Sequence, residues 1–203
     1  ASDVYKRQAR ELEHQLSDSG ARVIVVLENF AHTVQRALPA SVVDKVIVTG
    51  IGDQLPFLKR VITNFVVRYI KRLVPSWRID LAARYRKVLT KGGDLTYKDV
   101  EVGPEDIAFL QYTGGTTGVA KGAVLSHRNM VSNVLQAAAW ARPFIAGRGD
   151  VAITPLPLYH VFSLTANLLC FIELGGHDLL ITNPRDLPGF IRELKRGPFA
   201  YIT

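Results

Sequence analysis

The sequence predicts an α/β fold with largely parallel sheets covered by helices on both faces. Short runs rich in β-branched residues alternate with helical stretches of about ten residues, which is the pattern of βαβ units. Some of these runs, such as VIVVL at residues 23–27, are continuously apolar, as expected for strands that are buried on both faces.

The predicted elements can be placed in order along the chain. A first helix carries Ala9, Leu12 and Leu16 at helical spacing and stops at Gly20. Strands are predicted within residues 21–30, 43–50, 106–113, 122–127, 150–157, 178–183 and 199–203. Helices are predicted at residues 31–38, 128–141, 164–174 and 187–196, the last of them capped by Asp186.

Composition limits the class of protein. The 203 residues are 48% hydrophobic and 21% charged, which is typical of a globular protein with a large core. The single cysteine, Cys170, cannot form an intramolecular disulfide and favours a reducing compartment. No window of ~18 uncharged apolar residues occurs, which excludes a membrane-spanning helix. The net charge of +7 suits anionic partners, and nucleotides, acidic lipid surfaces and nucleic acid all remain open on charge alone.

Both ends of the sequence look cut. It begins with ASDVYKRQ, which has neither an initiator methionine nor an apolar signal core. It stops inside the β-prone run FAYIT, without a turn. We therefore expect a fragment of a longer protein.

The stretch LQYTGGTTGVAKG, from Leu110 to Gly122, has the composition of an anion-binding loop. Glycine permits positive φ angles and a close approach of the backbone to a ligand. Successive N–H groups in such a turn form an anion site, to which threonine hydroxyls and Lys121 would add donors and charge. A flexible hairpin loop with a solvated lysine would have the same composition. The stretch is not a Walker A loop, because no glycine directly precedes the lysine and no serine or threonine follows it.

This stretch resembles the phosphate-binding signature of the acyl-adenylate-forming enzymes, the superfamily of acyl-CoA synthetases, firefly luciferase and peptide-synthetase adenylation domains. Leu110 through Lys121 fit every position of that signature. A second stretch, PLPLYHVFSL, is similar to the next core motif of the family and lies at the expected spacing. The flanking stretches FIELGG and LLITNPRDLPG are closest to bacterial long-chain fatty acid–CoA ligases.

The resemblance implies a part of the large N-terminal AMP-binding domain of such a ligase. Residues 9–203 would belong to that domain, truncated at both ends and without the C-terminal domain, whereas residues 1–8 look foreign. The implied reaction has two steps. A fatty acid carboxylate attacks the α-phosphorus of ATP to give acyl-adenylate and pyrophosphate, and the thiol of coenzyme A then displaces AMP. The family's magnesium carboxylate, ribose aspartate and C-terminal lysine do not occur in this sequence, so the fragment alone is expected to be inactive.

The resemblance also implies roles for individual residues, with Lys121 and His160 as the catalytic candidates. The candidates for the β- and γ-phosphates of ATP are Gly115, Thr116, Thr117, Gly118 and Lys121, and Thr113 is the candidate for the Mg²⁺ site. Tyr112, Gly114, Val119, Ala120 and Gly122 complete the nucleotide-binding loop, with Tyr112 favoured as a packing residue. His160 is expected to close the site around the acyl carboxylate and the α-phosphate. The other histidines, His14, His32, His127 and His177, are interpreted as structural or surface residues, and no zinc pattern occurs.

A basic segment, defined here as Leu55 to Trp77, has apolar residues at helical spacing. Its cations are Lys59, Arg60, Arg68, Lys71 and Arg72, and no acidic residue occurs between Asp53 and Asp80. Such a helix could lie on an anionic membrane, which would put a cytoplasmic enzyme on the inner face of the bacterial cell membrane. The alternative is a surface helix that packs on the sheet and leaves its basic face in water.

Two other functions remain open at this level. One is an adenylate-forming ligase for another carboxylic acid, because the sequence does not reveal the chain length of the acid. The other is a non-catalytic module that binds a ligand or nucleic acid. The basic residues are not interleaved with exposed aromatic residues as in a nucleic-acid recognition module, so we predict no nucleic-acid partner.

Overall fold

The computed structural model describes residues 2–113, 120–145 and 150–202. The chain divides into two compact units. The first unit comprises residues 1–100 and 112–122, and the second comprises residues 101–111 and 123–203. Each unit is described by itself below.

The first unit is built on a three-stranded parallel sheet. Its strands are β1 (Val23–Leu27), β2 (Lys45–Thr49) and β3 (Ala82–Arg84), in the order β1-β2-β3. Val23 is paired with Lys45, and Val46 is paired with Ala82. The helices are α1 (Ser2–Ser19), α2 (Ala31–Ala37), α3 (Phe57–Phe65), which continues as a π-helix over Val66–Ile70, and α4 (Tyr85–Gly93).

The core of the first unit forms between α2 and one face of this sheet. Val34 of α2 packs with Val46 and Val48 of β2, and Ile24 and Val26 of β1 add to this cluster. These strand residues alternate along β1 and β2, so they point to one face of the sheet. Removing this apolar surface from water stabilises the α2–sheet contact.

The second unit contains another parallel sheet and a strand pair. β4 (Ile107–Thr113) pairs with β5 (Lys121–Ser126). β6 (Val151–Thr154) lies between β7 (His177–Leu180) and β8 (Tyr201–Ile202), and all three strands are parallel. The helices are α5 (His127–Ala141), α6 (Cys170–Leu174), which follows a π-helix over Ser163–Leu169, and α7 (Leu187–Leu194). β4 and β5 each begin in one unit and end in the other.

Two helix starts follow directly from the sequence. The hydroxyl of Ser126 accepts the N–H of Asn129, whose side chain accepts the N–H of Ser126, and this capping box begins α5. Asp186 accepts the N–H of Gly189 at 3.1 Å and begins α7, as predicted.

The prediction of an α/β fold with parallel sheets is confirmed, and it missed one strand and one helix. β3 and α4 were not predicted, because the strand is only three residues long and the helix ends in KGG. The expectation that VIVVL is buried on both faces is wrong, since Val23, Val25 and Leu27 are exposed. The physical reason is that only the face of β1 with the partly buried Ile24 and Val26 packs on the core beside α2, and no described residue buries the opposite face.

The basic segment is helical over a shorter range than its periodicity predicted. The helical part ends at Ile70, and Arg72 has a φ angle of 49°, which is outside the helical region. Pro75 restricts the residue before it and has no N–H to donate, so the helix cannot continue to Trp77.

The helix α3 and the π-helix after it contain no buried residue. Phe57 is 71% exposed, and Leu58, Val61, Ile62 and Phe65 are also exposed. Its apolar side chains therefore do not join the core of the first unit. Within the described ranges, no helix is both long enough and apolar enough to cross a membrane.

The burial of Val48 in the core of the first unit predicts how a substitution there changes the free energy of unfolding. Val48 is 0% exposed and Val42 is 60% exposed, so Val48→Ala leaves a cavity and Val42→Ala does not. We expect Val48→Ala to lower the free energy of unfolding by about 2 kcal/mol. The control Val42→Ala should change it by no more than about 0.5 kcal/mol. Urea unfolding of the purified chain, followed by far-ultraviolet circular dichroism, measures both, and equal losses would contradict this core.

Candidate functional site

The predicted phosphate-binding loop connects β4 to β5. Its central residues Gly114, Gly115, Thr116, Thr117, Gly118 and Val119 lie outside the described residues, and so does the side chain of Thr113. The described flanks are Tyr112 at the end of β4, and Ala120, Lys121 and Gly122 at the start of β5. These four residues belong to the first unit.

Helix α1 holds the residue that precedes the loop. The phenolic O–H of Tyr112 donates to Oδ2 of Asp18 at 2.6 Å. The ring of Tyr112 also meets His14 edge-on, with 6.5 Å between the ring centroids. One hydrogen bond and one aromatic contact from α1 thus orient the end of β4.

The hydrogen bond to Asp18 changes the acidity of Tyr112. The bond favours the protonated phenol, and partial desolvation and the negative charge of Asp18 act in the same direction. Together they raise the pKa of Tyr112 above its ordinary value of 10.0.

Helix α1 also contacts the residue that follows the loop. Nε2 of His14 lies 2.9 Å from the carbonyl oxygen of Ala120. A carbonyl oxygen only accepts, so Nε2 carries the proton and donates it in this bond. His14 and Asp18 are one helical turn apart, and they therefore reach both flanks of the loop from one face of α1.

Gly122 is required for the packing of Tyr112. A Cβ atom placed on Gly122 would come within 3.0 Å of Cζ of Tyr112, which is closer than side chains normally approach. The absence of a side chain at Gly122 lets the tyrosine ring lie against β5. This contact gives Gly122 a packing role beside the role in ligand binding that the resemblance implies.

Lys121 is exposed at the first residue of β5. It makes no ion pair with any carboxylate among the described residues, so its charge is not neutralised by a neighbour there. An exposed lysine on a strand end keeps a flexible side chain that can reach a bound anion.

His160 belongs to the second unit, in the loop that follows β6. Its N–H donates to the carbonyl oxygen of Pro157 at 3.0 Å, and its own carbonyl oxygen accepts the N–H of Leu164 at 2.9 Å. The side chain is exposed. The loop is therefore a tight turn that presents the imidazole to its surroundings and leads directly into the next helix.

The π-helix after His160 is tied to the loop and to β6. The hydroxyl of Ser163, which is fully buried, donates to the carbonyl oxygen of Leu156 at 3.2 Å. Asn167 donates to the hydroxyl of Thr154 at 2.9 Å, and that hydroxyl donates to Asp178 at 3.0 Å. Burial raises the pKa of the Asp178 carboxyl, and the bond from Thr154 partly offsets this.

The remaining histidines make local contacts or lie on the surface. His32 contacts the hydroxyl of Thr33, His127 begins α5, and His177 is exposed on β7. Within residues 2–113, 120–145 and 150–202, no group of three or more His, Cys, Asp and Glu side chains is arranged to hold a metal ion.

Two residues beside the loop were not predicted as part of the site. Asp18 was not singled out, and His14 was interpreted only as structural or surface. Their contacts with Tyr112 and Ala120 join residues that are 94 and 106 positions apart. The only sequence signal is their spacing of four on one face of α1, which does not identify the partner.

The family described as AMP-binding enzyme matches residues 5–198. Long-chain-fatty-acid–CoA ligases of Yersinia pestis and Escherichia coli O6:H1 are 57% and 54% identical over 194 residues. These alignments cover 96% of this chain in both cases, and 34% and 35% of the two relatives. The chain thus spans about a third of the length of these curated relatives.

Solved structures agree on the fold. A long-chain-fatty-acid–CoA ligase from Archaeoglobus fulgidus matches with a TM-score of 0.56 and 24% identity. The match covers 91% of this chain and 30% of that chain. The family and the names of these relatives agree with the resemblance drawn from Leu110 through Lys121.

The hydrogen bond between Tyr112 and Asp18 predicts how the stability of the chain depends on pH. A tyrosine with a raised pKa keeps its proton in the folded chain after it has lost it in the unfolded chain. The stability from this bond is therefore complete below pH 10.0 and is lost as the pH rises through the raised pKa. We expect Asp18→Asn to return the pKa of Tyr112 toward its ordinary value, measured from the ¹³Cζ shift of that tyrosine.

Glu11→Gln is the matched control for this measurement, because it removes an exposed carboxylate from the same helix without touching Tyr112. It should leave the pKa of Tyr112 raised. An unchanged pKa of Tyr112 in Asp18→Asn would contradict the assigned hydrogen bond.

Proposed function

The chain belongs to the AMP-binding enzyme family, and we propose that it forms part of an ATP-dependent long-chain fatty acid–CoA ligase. The observation that carries the proposal is the stretch from Leu110 to Lys121, which connects β4 to β5 and matches the phosphate-binding signature at every position. Long-chain-fatty-acid–CoA ligases that are 54% and 57% identical to this chain support the choice of a long-chain fatty acid as the substrate. ATP and coenzyme A are the other proposed substrates.

In the proposed first step, the carboxylate of the fatty acid attacks the α-phosphorus of ATP, and the bond to pyrophosphate breaks. A fatty acid is already ionised at pH 7, so no general base is needed. The main obstacle is the repulsion between the carboxylate and the triphosphate, which positive groups fixed around the phosphates reduce. The backbone N–H groups of residues 114–118 and the ammonium of Lys121 are the proposed groups.

Lys121 is suited to this role by its surroundings. It is exposed at the start of β5, and no carboxylate among the described residues pairs with it. Its positive charge is therefore available to the β- and γ-phosphates of ATP and to the departing pyrophosphate.

The contacts of α1 would hold the phosphate-binding loop in place before ATP arrives. Tyr112 is bonded to Asp18 on one side of the loop, and Ala120 is bonded to His14 on the other. Fixing the two flanks in advance reduces the conformational entropy that is lost when a ligand binds between them. We assign His14 and Asp18 as positioning residues on this basis.

Mg²⁺ is proposed to arrive with ATP and to neutralise part of its charge. The described residues offer no cluster of His, Cys, Asp and Glu that could form a protein cage for the ion. Within this chain, the hydroxyl of Thr113 is the group proposed to contact the ion.

His160 is proposed to position the reacting carboxylate. The turn from Pro157 to His160 and the bond from Ser163 to Leu156 fix the backbone on which the imidazole stands. An N–H of the imidazole would donate to an oxygen of the acyl carboxylate or of the α-phosphate. The second step, in which the thiol of coenzyme A displaces AMP, would use the same acyl-adenylate.

Loss of the lysine charge tests the proposed function in the full-length protein. We expect Lys121→Ala to slow formation of acyl-adenylate by an amount equal to roughly 2–4 kcal/mol of transition-state stabilisation. ATP–pyrophosphate exchange in the presence of a long-chain fatty acid measures this step. Lys98→Ala removes an exposed lysine outside the loop and should leave the exchange rate unchanged. Equal rates in Lys121→Ala and the unmodified protein would remove Lys121 from the mechanism.

We further infer that the basic segment contacts an anionic membrane and so holds the ligase at the inner face of the cell membrane. An amphipathic helix normally packs its apolar face on the protein. In this chain Phe57, Leu58, Ile62 and Phe65 of α3 are exposed instead, as is Tyr69 in the π-helix. An exposed apolar face flanked by cations is suited to the surface of an anionic bilayer, where the fatty acid substrate also resides.

The structure separates the cations of the basic segment into two groups. Arg68 donates to the buried carboxylate of Glu28, and the guanidinium of Arg60 lies over the ring of Phe57. Lys59, Lys71 and Arg72 are exposed. Among the described contacts, these three cations pair with neither a carboxylate nor an aromatic ring, so they are the ones changed in the test.

The membrane proposal is tested with the full-length protein and vesicles. Each cation near an anionic surface contributes about 1 kcal/mol, so changing Lys59, Lys71 and Arg72 to Gln should release most of the bound protein. Binding of the unmodified protein should rise with the content of acidic lipid and fall with salt. Sedimentation with vesicles measures both effects.

The matched control changes Lys87, Lys91 and Lys98 to Gln, which removes the same charge from exposed positions outside the basic segment. It should sediment as the unmodified protein does. If the two triple variants bind alike, or if no variant binds vesicles, the exposed face of α3 is covered by protein and the membrane proposal fails.

A further inference from the structure

A cavity of about 460 Å³ lies at the carboxyl ends of the three parallel strands of the first unit. Glu28 directly follows β1, Gly50 directly follows β2, and Arg84 is the last residue of β3. All three residues line the cavity. In α/β proteins, ligands bind in the crevice outside the carboxyl ends of parallel strands, and this volume falls within the range of ligand pockets.

Four arginines line this cavity, which we call the arginine pocket. They are Arg60 from α3, Arg68 from the π-helix, Arg84 from β3 and Arg86 from α4. The only carboxylates among the lining residues are Glu28 and Asp53. The lining therefore carries two more positive than negative charges.

One of these carboxylates is fully engaged by two of the arginines. Glu28 is only 5% exposed, and its Oε2 lies 2.8 Å from Arg68 and 3.3 Å from Arg84. A buried carboxylate requires such partners, because an unpaired buried charge is strongly destabilising. The pair of arginines around it keeps one positive charge in excess.

The other carboxylate is occupied by the backbone and by an amide. Asp53 accepts the N–H of Gly50 at 2.8 Å and the side-chain amide of Asn64 at 2.9 Å. Arg86 donates to the backbone carbonyl oxygen of Asp53 and not to its carboxylate. Arg60 lies over the ring of Phe57 and has no carboxylate partner among the described residues. Arg60 and Arg86 therefore face the pocket without an anion of their own.

We propose that the arginine pocket binds the phosphate group of a phosphorylated ligand. Guanidinium groups bind phosphate oxygens through pairs of N–H donors, and several of them around one cavity can satisfy a doubly charged group. Phe65 and Tyr69 also line the pocket and supply apolar surface for the rest of the ligand. None of the lining residues belongs to the loop 110–122, so the site is independent of the proposed adenylation chemistry.

A tryptophan beside the pocket gives a local measurement. The guanidinium of Arg84 lies 5.3 Å from the ring centroid of Trp77. We expect pyrophosphate to shift the ¹⁹F resonance of Trp77 in a saturable manner in full-length protein labelled with 5-fluorotryptophan. The resonance of Trp77 is assigned as the one that Trp77→Phe removes.

The variants Arg60→Gln and Arg86→Gln test the pocket without exposing the buried charge of Glu28. Each should raise the Kd for pyrophosphate, reported by Trp77, by about tenfold. Arg36→Gln removes an exposed arginine of α2 outside the pocket and should leave the Kd unchanged. Lys121→Ala should also leave this Kd unchanged, which separates the pocket from the phosphate-binding loop.

The ligand could be a diffusible phosphate compound or a lipid headgroup, and a second arm separates the two sources. Vesicles of phosphatidylcholine, with and without phosphatidate, are added to the same protein. If the protein binds phosphatidate vesicles, if pyrophosphate competes with this binding, and if Arg60→Gln weakens it, the ligand is a lipid headgroup. If pyrophosphate changes the signal of Trp77 but the vesicles do not bind in this way, the ligand is a diffusible phosphate compound. The proposal is overturned if pyrophosphate leaves Trp77 unchanged, or if Arg60→Gln and Arg86→Gln bind it as the unmodified protein does.

Discussion

Parallel pairing of the strands is the constraint on which the arrangement of both units depends. When neighbouring strands run in one direction, their carboxyl ends meet at one edge of the sheet. In the first unit this edge collects Glu28, the Gly50–Asp53 turn and Arg84. In the second unit the carboxyl end of β6 leads into the turn that carries His160. The common direction of the strands thus places these polar groups at one edge of each sheet, while apolar residues within the elements form the cores.

Helix α1 links the fold to the proposed chemistry. It packs with α2 in the first unit, and its residues His14 and Asp18 bond to Ala120 and Tyr112 on the two sides of the phosphate-binding loop. These two hydrogen bonds fix the described flanks of the loop, and so connect the position of α1 to the proposed binding of ATP.

Local patterns in the sequence predicted the elements and the loop, but not the long-range contacts. The alternation of runs predicted the parallel α/β fold, and the signature at residues 110–121 identified the family. Strand β3 was not predicted, because three residues are too few to show a periodic pattern. The pairing of Glu28 with Arg68 and Arg84 joins residues that are 40 and 56 positions apart, and nothing in their neighbourhoods reveals it. Periodicity also could not decide whether the apolar face of α3 is covered, since exposure depends on the tertiary arrangement.

The central claim is that the chain belongs to an enzyme that activates long-chain fatty acids with ATP. The most direct measurement is ATP–pyrophosphate exchange by the full-length protein, with saturated fatty acids of increasing chain length and an aromatic acid as the comparison. The account predicts exchange that requires an acid and is fastest with long-chain acids. Exchange without any acid, or exchange that is fastest with the aromatic acid, would contradict it.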